Sequence, residues 1–161
     1  MYLTVLMQKI STVEADAVVV GWYEDVRPLK GGAGTLDWLL CGELSRLVRE
    51  KRVRGSLGEV ALLTTAGKIP ASKIFLVGLG SRKNATPEHI QQASEVAAAS
   101  LANAGVAKAA IDLLPMNDLD DEDQQAMIRG LRSGTHYGAT EFLLVAPDRA
   151  AAERMTRLAR A

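Results

Sequence analysis

The sequence predicts an α/β fold of three layers (α/β/α), in which helices cover both faces of a mixed, largely parallel six-stranded sheet. Three observations predict it: strand-like apolar runs alternate with segments of helical periodicity, the connections are short, and 48% of the 161 residues are hydrophobic. Strands separated by helices need crossover connections, which favour parallel pairing. We expect residues 1–161 to form a single domain, since a chain of this length can build one large core.

Six segments have the aliphatic and β-branched composition of strands. They are residues 1–7, 16–22, 59–64, 73–77, 109–114 and 142–146. The second of them, DAVVVGW, is a nearly continuous apolar run, which is typical of a strand covered on both faces. We therefore expect it to lie inside the sheet.

Four segments predict helices. In the first, leucines and valines recur at helical spacing over residues 36–48, after a flexible loop at residues 30–35. The second begins at Thr86-Pro87-Glu88, where threonine can cap and proline suits the first helical position, and ends at Gly105. An acidic run at residues 118–123 leads the third toward Tyr137, and Asp148 caps the last.

Composition limits the classes of partner and compartment. The 19 basic and 19 acidic residues cancel, so no global field attracts nucleic acid or an anionic membrane. A single cysteine cannot form an intramolecular disulfide, which fits a reducing compartment. The N-terminal MYLTVLMQKI lacks the features of a signal peptide, and no apolar run reaches the roughly 20 residues that span a bilayer. We expect a soluble, cytoplasmic protein without membrane contact.

The stretch KIFLVGLGSRKN is a strand that runs into a glycine turn followed by cations. The residues of this turn could bind a phosphate, and the candidate ligand-binding residues are Gly78, Gly80, Ser81, Arg82 and Lys83. However, the dinucleotide fingerprint needs a third glycine where Lys83 stands, and no P-loop spacing occurs. A backbone turn therefore explains the stretch better, and phosphate binding is kept as the alternative.

The other polar candidates have structural explanations. The acidic run at residues 117–123 lacks the central glycine and ligand spacing of a calcium loop. We interpret His89 as solvent-facing in a first helical turn, and His136 as a residue of a helix end. Cys41 flanks an apolar stripe and is expected to be a small buried thiol. The sequence predicts no catalytic residue, no metal site and no cofactor.

Two further clusters stand out. Gly130, Gly134 and Gly138 are spaced by four, which indicates a close approach to a neighbouring backbone, either the sheet or another subunit. Five cations fall within nine residues, namely Arg46, Arg49, Lys51, Arg52 and Arg54. They suit a solvated helix C-terminus better than a contact with a polynucleotide, and glutamates dilute them.

Taken in order, these segments resemble the N-terminal domain of the leucine (cytosol) aminopeptidase family. The matching pieces are DAVVVGWYED, GTLDWLLCGELSRLVRE, RGSLGEVALL, KIFLVGLGSR and the closing IRGLRSGTHY…TEFLLVAPDRAAAERMTRLARA. They cover nearly the whole chain. The resemblance implies a fold similar to macro domains. It also implies that GLG is the strand-end turn of the family, where a side chain would collide.

In that family the N-terminal domain carries no catalytic residues. Peptidase chemistry belongs to a following domain with two divalent metals, held by a lysine and several carboxylates around an NTDAEGR-like motif. No such motif occurs in the 161 residues, and the region after Tyr137 lacks the family's aromatic-and-lysine continuation. The resemblance therefore implies no aminopeptidase activity for this chain alone.

Three functions follow as expectations. The first is a non-catalytic accessory domain that forms homo-oligomers or docks on a separately encoded partner. The second is a macro-like binder of ADP-ribose or a related nucleotide, with amides from the loops at Gly31, Gly32 and Gly34 and at residues 78–83. The third is an accessory domain that binds DNA through residues 46–54, which the neutral net charge disfavours.

Overall fold

The computed structural model describes residues 2–115 and 118–161. Met1, where the first predicted strand begins, and Asn117, the first residue of the acidic run, lie outside the described residues. The strands are β1 (Leu3–Leu6), β2 (Ala17–Trp22), β3 (Val60–Thr64), β4 (Lys73–Gly78), β5 (Lys108–Asp112) and β6 (Glu141–Val145). The α-helices are α1 (Gly31–Leu39), α2 (Glu43–Arg49), α3 (Pro87–Asn103), α4 (Asp121–Gly134) and α5 (Arg149–Arg160).

The strands form a mixed sheet in the order β1-β6-β5-β2-β4-β3. Every neighbouring pair is parallel except β3 and β4, which are antiparallel. The apolar run of β2 is buried along its whole length, and Val19 lies between Phe75 of β4 and Ile111 of β5. The predicted fold class, a largely parallel six-stranded sheet, is confirmed.

Helices cover both faces of the sheet. On one face, Leu36 of α1 and Leu44 of α2 pack in a core with Val18 and Val20 of β2. On the other face, the apolar sides of α3, α4 and α5 pack in a second core that includes Val19. Alternate residues of β2 therefore enter different cores, as the two-residue period of a strand requires.

Local capping chemistry sets the helix ends. The Thr86 hydroxyl accepts the His89 N–H at 3.3 Å, and the Asp148 carboxylate accepts the Ala151 N–H at 2.8 Å. Gly105, which follows α3, has a φ of +69°. The predicted roles of Thr86, Asp148 and Gly105 are confirmed. In α4 the cap is Asp120, which accepts the Asp123 N–H at 2.9 Å.

The first predicted helix is wrong in three respects. It is two helices, because Gly42 has a φ of +82° and the Asp37 carboxylate accepts the Ser45 N–H at 2.9 Å, which caps α2 from α1. The segment at residues 30–35 is not a flexible loop, since α1 begins at Gly31. Cys41, in the break between the two helices, is exposed and not buried.

The glycines of α4 face α3 of the same chain. A Cβ at Gly130 would lie 2.7 Å from the Ser94 Cβ, and one at Gly134 would lie 2.8 Å from the Glu95 carbonyl oxygen. A Cβ at Gly138, just beyond α4, would lie 3.0 Å from the Ala102 Cβ. The predicted close approach is confirmed, but the neighbour is neither the sheet nor another subunit.

No helix in the described ranges 2–115 and 118–161 combines the length and the apolar character needed to cross a membrane.

Candidate functional site

A cleft lies at the carboxyl ends of the parallel strands, where the chain direction diverges. From β2 the chain enters α1 on one face of the sheet, whereas from the adjacent β5 it enters α4 on the other face. Open α/β sheets bind ligands in the crevice that such a divergence creates. A cavity of about 440 Å³ lies here, and Tyr23, Leu29 and Pro115 give it a mostly apolar lining.

A second, wider cavity of about 600 Å³ adjoins the first. Gly31 and Pro115 line both cavities, and Thr35 and Asp112 line the second. The N-terminus of α1 therefore lies between the two cavities. Among residues 2–115 and 118–161, no side chain caps this N-terminus, where the preceding residue is Lys30. Uncapped amides at a helix start favour a negatively charged group, because they carry the positive end of the helix dipole.

Two cationic residues, Lys30 and Arg82, line the smaller cleft, and Arg82 is the one placed beside an aromatic ring. Its guanidinium carbon lies 5.3 Å from the centre of the Tyr23 ring, which is within the range of a cation–π interaction. Burial raises the pKa of Tyr23 above its ordinary value, and the nearby Arg82 partly opposes that shift. The pair presents an aromatic face and a fixed positive charge to the same cavity.

Asp25 occupies donors of the loop for which phosphate binding was the alternative interpretation. Its carboxylate accepts the Ser81 hydroxyl at 3.0 Å and the Arg82 N–H at 2.8 Å, and the Lys83 N–H lies 3.5 Å away. The Arg82 N–H is the main cause that lowers the pKa of Asp25 below its ordinary value. The protein's own carboxylate thus occupies the donors of Ser81 and Arg82 that an external anion would need, and it lies close to the Lys83 N–H.

Gly78 and Gly80 serve the packing of the turn. Gly78 donates its N–H to Glu59 at 2.7 Å, and Gly80 donates its N–H to Gly55 at 2.8 Å. Gly80 has a φ of +74°, and a Cβ at Gly78 would lie 2.8 Å from the Gly55 carbonyl carbon. Because these two amides bond to carbonyl groups of the protein itself, the stretch fits the interpretation as a backbone turn. The amides of Gly78 and Gly80 are not available to bind a phosphate.

The other glycine-rich segment packs against the floor of the clefts. A Cβ at Gly32 would lie 2.7 Å from the Asp112 Oδ2 atom, and one at Gly34 would lie 2.5 Å from the Leu29 carbonyl oxygen. Gly31 itself has a φ of +58° and lines both cavities. Of the three predicted loop residues, Gly31 lines the two cavities, whereas Gly32 and Gly34 let α1 approach its neighbours.

Asp112 is a residue of the candidate site that the sequence patterns did not predict. It is the last residue of β5, is partly buried, and lines the wider cavity beside the first turn of α1. Burial raises the pKa of Asp112 to about 6. An acid at the carboxyl end of an otherwise apolar strand, as in AAIDLL, is the signal that predicts such a residue. Trp22-Tyr23, directly after DAVVV, is the corresponding signal for the aromatic side.

The remaining candidates do not join this site. Within residues 2–115 and 118–161, no group of three or more histidine, cysteine or acidic side chains comes together to hold a metal. His89 is partly buried in the first turn of α3, and His136 is exposed after α4. In the basic cluster of residues 46–54, Arg46 forms ion pairs with Glu43 and Glu50, and these two carboxylates offset the positive charge of Arg46. The DNA-binding alternative stays a prediction.

Comparison with known proteins identifies the family to which this chain belongs. A family model described as the cytosol aminopeptidase family, N-terminal domain, matches residues 19–142. The chain belongs to this family. It is 35% identical over 101 residues to a probable cytosol aminopeptidase of Geotalea uraniireducens, an alignment that covers 63% of this chain. The chain spans only 20% of the length of that relative.

Solved structures agree with the fold. A mutant of tomato leucine aminopeptidase superposes with a TM-score of 0.72 at 19% identity, over 98% of this chain and 35% of that one. A Trypanosoma brucei macrodomain in complex with ADP superposes with a TM-score of 0.74 at 12% identity, over 98% of this chain and 68% of that one. The family resemblance and the macro-like fold expected from the sequence are both confirmed.

Proposed function

We propose that this chain is a non-catalytic accessory module of leucine aminopeptidase type, which acts by binding other protein chains. The observation that carries the proposal is the match of residues 19–142 to a model of the family's N-terminal domain. The partners are further copies of this chain or a separately encoded catalytic protein. The single-domain organisation over residues 1–161 and the cytoplasmic location stay predictions.

Two measurements test this role. Light scattering of the purified chain is expected to show a dimer or a larger species, or an affinity pull-down is expected to retain a specific partner. Hydrolysis of a leucine anilide in the presence of Mn²⁺ or Zn²⁺ is expected to stay at the rate of the buffer control. A strict monomer at high micromolar concentration that captures no partner contradicts the role, and so does peptide cleavage by the chain alone.

A second candidate function is the binding of ADP-ribose or a related nucleotide in the smaller cleft. The observation that favours it is the combination of the Tyr23 ring, the Arg82 guanidinium and the N-terminus of α1 around one cavity. An aromatic face suits a base, and the two positive groups suit a diphosphate. In this proposal Arg82 and the amides near Gly31 bind the ligand, while residues 78–81 shape the turn.

A thermal-shift series with ADP-ribose, ADP and AMP tests this second candidate. A nucleotide present at 100 times its dissociation constant stabilises the protein by about 2.7 kcal/mol, which is an easily measured shift. The Arg82→Ala variant is expected to lose the shift. The matched control is Lys83→Ala, which removes an exposed cation that does not line the cavity. No shift with any of the three nucleotides retires the candidate.

A further inference from the structure

The free edge of the sheet at β3 has a defined hydrogen-bonding register. The Glu59 carbonyl accepts the Gly78 N–H at 2.7 Å, and the Thr65 N–H donates to Ser72 at 3.1 Å. Groups on an antiparallel strand alternate between its two sides. The odd-numbered residues of β3 therefore direct their backbone N–H and C=O groups toward β4. Val60, Leu62 and Thr64 direct theirs away from the sheet, toward its free edge.

The five residues of β3 lack the side chains that usually prevent an edge strand from pairing with another strand. The five residues of β3, VALLT, contain no charge and no proline, and 56% of Leu62 is exposed. Natural edge strands are commonly protected by lysine, proline or a covering helix. At the opposite edge α5 packs against β1. Among the described strands, β3 is thus the one that presents an exposed leucine on an open edge.

We propose that β3 pairs with β3 of a second copy of this chain, antiparallel about a two-fold axis at Leu62. The inference rests on the proposed assembly role and names the surface that performs it. In this register Leu62 lies opposite Leu62, and Val60 lies opposite Thr64. Each outward N–H and C=O of these residues then has a partner, and the two sheets become one continuous sheet. A two-fold contact is closed, so it gives a dimer and no fibre.

The charges that flank the strand fit this register. Glu59 falls opposite Thr65 of the second copy, and the Lys68 N–H donates to the Thr65 carbonyl at 3.0 Å, which places Lys68 beside that position. One oxygen of the Glu59 carboxylate accepts the Arg54 N–H, so the other oxygen can face a cation. In the proposed dimer the two-fold axis brings Glu59 toward Lys68 of the second copy at both ends of the uncharged strand VALLT, which favours this pairing and makes it sensitive to salt.

The expected affinity is modest. Pairing five residues of each copy buries less surface than the roughly 1,200 to 2,000 Å² of a standard stable interface. We therefore expect a dimer that dissociates on dilution into the low micromolar range, so a single measurement at low concentration would miss it.

Sedimentation velocity over a concentration series tests the surface. Wild type is expected to move from monomer to dimer, and Leu62→Lys is expected to stay monomeric, because a lysine on an edge strand opposes its own copy across the axis. The matched control is Trp38→Lys, which changes a side chain 84% exposed on α1 and is expected to dimerise as wild type does. Circular dichroism and the melting temperature establish that both variants are folded.

The outcomes separate this surface from the assembly role itself. If wild type dimerises and Leu62→Lys dimerises equally well, the β3 surface is wrong and the assembly role stands. If wild type stays monomeric throughout the series, self-association fails and β3 pairing fails with it, and only a separate partner remains for the accessory role.

Cross-linking gives a second readout that does not depend on disrupting the dimer. In a Cys41→Ser background, Leu62→Cys places two thiols on opposed residues, whose Cβ atoms lie about 5.5 Å apart in an antiparallel pair. A short bismaleimide is expected to convert this variant to a covalent dimer. The control, Trp38→Cys in the same background, is expected to stay monomeric under the same treatment. Equal cross-linking of the two variants overturns the proposal.

Discussion

The contact between α3 and α4 allows a sharp test of the packing, through the substitution Gly130→Ala. A methyl group at this position would lie 2.7 Å from the Ser94 Cβ and 3.0 Å from the Gln91 carbonyl carbon. These distances are shorter than a carbon–carbon contact of roughly 3.5 to 4.0 Å. Because part of the obstacle is backbone, no side-chain rotation relieves it, and the two helices must move apart.

Two opposing free-energy terms set the result. Replacing glycine by alanine inside a helix stabilises it by up to about 1 kcal/mol. Forcing an additional carbon into a packed contact costs about 1 to 3 kcal/mol, and more where the backbone must shift. The backbone obstacle at Gly130 places the cost at the upper end, so we expect a net destabilisation of about 2 kcal/mol. For a domain of this size that lowers the melting temperature by about 4 to 8 °C.

The assay is differential scanning calorimetry of Gly130→Ala beside Gln125→Ala. Gln125 lies on the exposed side of the same helix, so its substitution by alanine is expected to leave the melting temperature unchanged or slightly raised. A melting temperature of Gly130→Ala equal to or above that of wild type would refute the reasoning, because helix propensity would then outweigh the contact with α3.

Three further substitutions test single features. Asp112→Asn is expected to raise the melting temperature above pH 6, with the difference vanishing toward pH 4. The reason is that burial raises the Asp112 pKa to about 6, so wild type loses stability between those values as the carboxyl ionises. Thr86→Ala removes the cap of α3 and is expected to cost about 1 kcal/mol by urea titration. Asp25→Ala frees the Arg82 N–H, and inorganic phosphate is expected to stabilise this variant more than wild type in a thermal-shift assay.

The elements that the sequence predicted well are those decided locally. The run DAVVVGW predicts a buried strand because a strand covered on both faces has no polar side, and β2 is buried throughout. Thr86 and Asp148 predict helix starts because their side chains bond amides three residues ahead in the chain. Such features need no knowledge of the rest of the fold.

The break between α1 and α2 shows where periodicity misleads. Leucines at helical spacing continue through it, so the pattern predicts one helix. The chain instead turns because Gly42 adopts a left-handed conformation and Asp37 reaches forward to cap α2 through the Ser45 N–H. The pair Cys41-Gly42 was the available signal, since glycine favours that conformation at a helix end.

The sequence predicted where the two glycine segments lie in the fold, but not the contacts that they make there. Both glycine segments lie at the carboxyl edge of the sheet, as expected from the strand ends. The amide of Arg82, however, bonds to Asp25, a residue 57 positions earlier in the chain. Likewise, the partner of Gly80 is Gly55, on the turn before β3. Contacts between segments so far apart in the sequence follow from the fold as a whole, and no local sequence pattern predicts them.

The strand order makes the two proposed binding surfaces independent of each other. The clefts lie at the carboxyl ends of β2 and β5, and Leu79 and Arg82 reach the smaller cleft from the segment after β4. The proposed dimer contact lies along β3, with β4 between β3 and β2. With neighbouring strands about 4.8 Å apart, β2 lies about 10 Å from the edge that would pair. A dimer through β3 therefore leaves the clefts of both copies open at the carboxyl ends. It follows that Leu62→Lys should leave any nucleotide response intact, and Arg82→Ala should leave self-association intact. A variant that abolishes both would indicate that the edge and the cleft are coupled through β4.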